Sequence, residues 1–165
     1  PQAFAPVDLP SARTFGSRPS AFAAGGALSA EPLALEAGLA GNPLDELGIL
    51  QSELFRAVRL VVDTGMHYKR WTREEAMAYM KAKTGMSDTE VRVEIERYIV
   101  WPAQALSYKV GMIKILELRK KAQDALGEKF NIKDFHSALL DHGSPPLFIV
   151  EEKVNDMINN AKSLN

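Results

Sequence analysis

A chain of 165 residues with 46% hydrophobic and 25% charged residues has the composition of one ordinary globular domain with material for a sizeable core. Lys and Arg total 20 against 21 for Asp and Glu, a net charge of -1, so no global positive field favours nucleic acid as a partner. The lack of cysteine excludes disulfide scaffolds, thiolate metal sites and cysteine nucleophiles, and no apolar run reaches the roughly 20 residues of a membrane-spanning helix.

From the amino end, Pro1, Pro6, Pro10 and Pro19 punctuate an Ala/Gly-rich stretch, and residues 1–19 read as extended or irregular. With Pro instead of Met as first residue, the sequence is expected to be a processed, truncated or expressed piece of something longer. A basic start followed by an apolar block is missing, so no signal peptide is expected. Ala27 to Ala37 forms at most a short helix that starts or kinks at Pro32. Residues 1–42 are therefore read as an irregular segment, and 43–165 as a helical domain.

From Pro43 onward the apolar residues follow a helical period with almost no alternating pattern. Asn42, Pro43, Asp45 and Glu46 supply a cap, a first-turn proline and early acidic residues for a helix to about Thr64. Thr72 with Glu75, and Ser87 with Glu90, are capping boxes. They open helices ended by Gly85 and near Val100. Pro102 is placed at the first turn of a long helix ending near Gly127. Asn131–Asp141 and Pro146–Ala161 follow. The fold class is all-α, five to six helices packed as an irregular bundle.

The helix from Pro43 is apolar around nearly its whole circumference, so it is expected to be buried on most sides. Ser52, Arg56, Arg59 and Asp63 fall on one narrow stripe of it. Buried charges need partners or a wet cavity, whereas an Arg59/Asp63 pair on a solvated edge would need neither. Gly65 is placed to end this helix and leave His67 at its carboxyl end, either as a proton or hydrogen-bond donor or merely as a cap. Gln104, Tyr108 and Gly111 share another stripe, open to a ligand or simply to a neighbouring helix. Trp71 and Trp101 are expected to plug the edge of the core. His136 and His142 are read as structural or solvent-facing.

The strings Glu53–His67 and Glu96–Gly111, with Ile115–Arg119, the Gly127 turn, Phe135-His136 and the turn at Pro145, closely resemble the bacterial family called domain of unknown function 885. The resemblance runs from about Leu28 to the end. It implies a relative of gluzincin zinc metallopeptidases, almost wholly helical and considerably longer than this chain, and a bacterial cytoplasmic or periplasmic location. The family's zinc site uses an H-E-x-x-H helix and a later E-G-W-A-L-Y-A-E segment. The first is missing here. The second reads Ala24-Gly-Gly-Ala-Leu-Ser-Ala-Glu31, with only Glu31 retained at its last acidic position. That leaves a decayed site or a segment of unreliable residue identity, and a catalytic zinc needs about three protein ligands.

The resemblance therefore implies no metal in this chain and zinc in a longer parent. Within a peptidase-like hydrolase it gives His67 and Tyr108 the oxyanion-donor roles and gives Arg56 or Arg59 the carboxylate of a small peptide-like substrate. Gln104 orients the site, and Asp63 holds Arg59 or His67. The other reading is a non-catalytic helical binding or structural domain with a degenerate site. Faces meant for missing chain would also favour self-association.

Overall fold

The structure, a computed structural model, describes residues 20–39 and 42–163. The irregular reading of residues 1–19 lies outside them. Seven α-helices are present and no strand occurs among the described residues: α1 (Ser20–Glu36), α2 (Pro43–His67), α3 (Arg73–Thr84), α4 (Asp88–Val100), α5 (Ser107–Leu126), α6 (Ile132–Leu140) and α7 (Leu147–Ser163). The all-α class stands. The helix beyond the expected six is α1, which begins well before Ala27 and passes through Pro32 without ending. It is held by burial of Phe22 and Leu28, which outweighs the one backbone bond that Pro32 cannot donate.

Local chemistry sets most boundaries. The Asn42 side chain accepts from the Leu44 and Asp45 amides at 2.8 and 3.2 Å, and Asp45 accepts in return from Asn42 N–H. Thr72/Glu75 and Ser87/Glu90 close both expected capping boxes, and Gly85 ends α3 in the left-handed region at φ 69°. Gly65 does not end α2. It lies inside the helix because a β-carbon there would fall 2.6 Å from Cδ2 of Trp71, so the residue serves close packing and not termination. Pro102 is likewise not a helix start: a turn and a 3₁₀ segment, Gln104–Leu106, precede α5.

The chain divides into two compact units, Pro1–Ser29 with Gly111–Asn165, and Ala30–Val110. In the first, Phe22, Leu118, Phe135, Val150 and Val154 form the centre of an apolar core. There the start of α1 crosses α5 backbone to backbone. A β-carbon on Gly111 would collide with the Ala21 carbonyl oxygen and lie 2.8 Å from Gly25 Cα. Gly111 thus admits a helix, which is the packing reading of its stripe. His136 in this unit sits 6.1 Å from the Phe135 ring, and burial, followed by the charge of Arg119, lowers its pKa.

In the second unit α2, α3 and α4 bury Val58, Val62, Ala76, Met80, Val91, Ile95, Tyr98 and Ala105. Trp71 packs at this core edge with its ring 5.4 Å from Tyr79. Trp101 does not plug the core and is 61% exposed. Nor is α2 buried on most sides. Its carboxyl half is, but Leu44, Leu47, Leu50 and Leu54 of its amino half are exposed. No helix among the described residues is long and apolar enough to cross a membrane.

Candidate functional site

The buried half of α2 carries Arg59 and Asp63 one turn apart, each 2% exposed. They are not the solvated ion pair that their spacing allows. Asp63 turns to the chain after α4, where both of its carboxylate oxygens accept the Ala103 N–H at 3.2 Å. Ala103 needs that anchor, because its φ of 67° is a left-handed conformation that costs a non-glycine residue roughly 1–2 kcal/mol. Burial raises the Asp63 pKa, and the Ala103 amide, then the charges of His67 and Arg59, pull it back only in part. The next residue, Gln104, then reaches Arg59, whose Nη2 donates to Gln104 Oε1 at 2.9 Å.

Arg59 is caged by aromatic faces in place of a carboxylate. Its guanidinium carbon lies 4.9 Å from the Tyr108 ring centre, 5.3 Å from Tyr98 and 5.6 Å from Phe55. Its Nε is buried without a hydrogen-bond partner. Burial, opposed first by Tyr98, lowers its pKa. Ring faces attract a cation but carry no net charge, so the monopole of Arg59 is only softened. Arg56, one position before the apolar Ala57, stacks 4.1 Å from the Tyr108 ring and 5.2 Å from Phe55. It is only partly buried and makes no ion pair among the described residues.

The nearby carboxylates are already engaged. Glu94 accepts from the Tyr98 hydroxyl and from Arg97, and Glu53 pairs with Lys109. Burial, and then the bond to Glu94, pushes the Tyr98 phenol well above its ordinary value, so Tyr98 stays neutral. His67, on the exposed last turn of α2, places Nε2 3.0 Å from the Tyr98 carbonyl oxygen. Since a carbonyl only accepts, Nε2 carries the proton of this bond.

Of the residues singled out by sequence, Arg56, Arg59, Gln104 and Tyr108 come into direct contact. His67 joins them through Tyr98, which touches both it and Arg59. Asp63 braces the 101–104 turn, and neither Arg59 nor His67 is its hydrogen-bond partner. Glu31 on α1 has a buried Oε2 without a partner, and no hydrogen bond or ion pair among the described residues ties it to the cluster. Sequence reasoning missed Phe55, Tyr98 and Ala103. Phe55 and Tyr98 do have a readable signal, since aromatic residues at helical register with a buried arginine are its natural walls. Among the described residues no group of three or more His, Asp or Glu is placed to hold a metal. Around the cluster only the Asp63 carboxylate and the His67 imidazole are zinc-ligand types outside an ion pair, fewer than the three that a catalytic zinc takes.

The sequence profile of a family described as bacterial protein of unknown function (DUF885) matches residues 3–154. No curated protein matches the chain. A crystal structure from Colwellia psychrerythraea, of a protein described provisionally as a lipoprotein, is similar at 51% identity and a TM-score of 0.83, over 86% of this chain and 24% of that one. The chain thus spans about a quarter of the length of that relative. A profile match across nearly the whole chain, with two long motifs folded around one arginine cluster, means that this chain belongs to the DUF885 family of bacterial proteins.

Proposed function

We propose that this chain supplies the ligand-holding side of a peptidase-like hydrolase, with Arg56 taking the carboxylate of a peptide or peptide-like ligand. The observation that carries this reading is a half-buried arginine, Arg56, stacked on Tyr108 beside the buried Arg59 and making no ion pair among the described residues. Arg59 is a positioning residue. Its fork holds Gln104, and its charge reinforces Arg56 without meeting solvent. The Tyr108 hydroxyl is the hydrogen-bond donor available to a carbonyl that gains negative charge, whereas the His67 Nε2 proton is already given to the Tyr98 carbonyl. The gluzincin likeness assigns zinc to other parts of a longer protein. Among the described residues no group of three or more His, Asp or Glu is placed to hold that ion, and no step here runs through it.

A non-catalytic helical domain is the second reading, favoured by the aromatic cage that satisfies Arg59 internally. Titrating the chain with N-acetylglycine and with N-acetylglycinamide, followed by NMR, separates the two. The first reading expects the acid to bind and the amide not to, with Arg56→Ala lowering the affinity for the acid at least about tenfold, as loss of one charge-assisted contact does. Equal binding of acid and amide, or no effect of Arg56→Ala, overturns it in favour of the second.

A further inference from the structure

Resting on that proposed function, we infer that Ser52 reads the amide N–H next to the ligand's carboxylate, so that the site takes the carboxyl end of a peptide or an N-acyl amino acid in preference to an ester of the same shape. Ser52 lies four residues before Arg56 on the polar stripe of α2, and β-carbons at that spacing are about 5–6 Å apart. Side chains of a helix lean toward its amino end, which is the direction of Ser52 from Arg56. Both residues are half-buried. The Ser52 hydroxyl is unspent. Ser29, Thr64 and Thr84, also in helices, each donate to the carbonyl oxygen four residues earlier at 2.8 Å. Ser52 makes neither that bond nor any other among the described residues.

The neighbouring groups decide what this hydroxyl is for. Arg56 carries only N–H donors, and none of them makes a hydrogen bond among the described residues. The carboxylates at hand are engaged, Glu53 with Lys109 and the buried Asp63 with the Ala103 amide. On the α2 stripe the Ser52 oxygen is therefore the acceptor left over. A carboxylate needs donors alone. The carboxyl end of a peptide also carries an N–H one carbon away from its carboxylate, and placing that N–H beside Arg56 without an acceptor forfeits the hydrogen bond it had with water. Ser52 restores it. One turn further back a β-carbon on Gly48 would meet nothing within 4 Å, so the acyl part of the ligand has open surface along α2.

The probes are N-acetylglycine and acetoxyacetate, which differ only by an oxygen in place of the N–H, and binding is followed by NMR. N-acetylglycine is expected to bind roughly three- to tenfold more tightly, the worth of one hydrogen bond. Ser52→Ala should bring N-acetylglycine down to the level of acetoxyacetate and leave acetoxyacetate unchanged, whereas Ser52→Thr, which keeps a hydroxyl, should retain the preference. Unshifted amide signals away from α2 report that both variants are folded. If the two probes bind the parent equally and through Arg56, or if Ser52→Ala weakens both alike, the inference falls and the proposed function survives. If neither probe binds, both fall. A preference for N-acetylglycine that persists in Ser52→Ala gives the N–H to another acceptor and also overturns the inference.

Discussion

Replacing Asp63 by Ala removes the only hydrogen-bond acceptor that Ala103 N–H has among the described residues. The bond is charge-assisted and buried at its carboxylate end. Such bonds contribute about 1.5–3 kcal/mol net. Two effects reduce that figure. Ala103 is exposed, so its amide can turn to water, and the variant no longer buries a carboxylate whose pKa is raised by burial. A loss of roughly 1–2 kcal/mol is expected on that account. Ala103→Gly tests the other half of the contact. It relieves roughly 1–2 kcal/mol of left-handed strain and forfeits about 0.4–1 kcal/mol in the more flexible unfolded chain, for a net gain between about 0 and about 1.6 kcal/mol. Urea unfolding at constant m-value measures both, and because the residues touch, the double variant should depart from additivity. Asp63→Ala within about 0.5 kcal/mol of the parent, or Ala103→Gly destabilising by more than about 1 kcal/mol, would refute the strained and anchored turn.

Asp63→Asn keeps an acceptor for Ala103 while removing the charge. The folded-state pKa of Asp63 lies above its unfolded value, so its contribution is most favourable below the unfolded pKa and is lost as pH rises through the folded one. The Asn variant should therefore gain most over the parent near neutral pH, and the gain should shrink on acidification. Parallel stability profiles from pH 7 down to about 3 would contradict this sign. Gly111→Ala drives a methyl group into the Ala21 carbonyl and toward Gly25, and neither backbone can move alone. It should cost at least about 1–3 kcal/mol in thermal unfolding, and an unchanged midpoint would show that α1 does not cross there.

Legibility followed locality. The caps at Asn42, Thr72 and Ser87 depend on side chains within three residues and could be read directly. The glycines could not. Gly65 and Gly85 look alike in sequence, yet one lies under the Trp71 ring and the other turns left-handed, because only packing at a distance tells a needed gap from a needed φ. Periodicity placed the apolar residues from Leu47 to Val62 on one stripe of α2 but carries no information on where along the helix its cover stops. In the candidate site the arginine stripe was legible as charges that demand partners. The partners themselves, three aromatic rings and the amide of Gln104, come from sequence positions up to 49 residues distant, Tyr108 from Arg59 being 108 − 59.

Charge makes the cluster more than a packing solution. Arg56 and Arg59 flank one phenol ring, and Asp63 is the single carboxylate near Arg59 whose hydrogen bonds go to the backbone and not to another cation. Glu94 and Glu53 answer to Arg97 and Lys109. Two guanidiniums against one carboxylate leave an excess of one positive charge, which aromatic quadrupoles cannot cancel. An anion brought within about 4 Å of Arg56 gains roughly 4 kcal/mol at the effective dielectric of a protein surface, before its own desolvation is subtracted. Arg59 adds to that attraction from beneath the ring and is shielded from solvent ions, so the pull on a bound anion should persist at salt concentrations that silence an exposed arginine. If 0.5 M sodium chloride reduces N-acetylglycine binding no less than it reduces binding to a surface Lys–Arg patch, the buried arginine contributes nothing to the ligand.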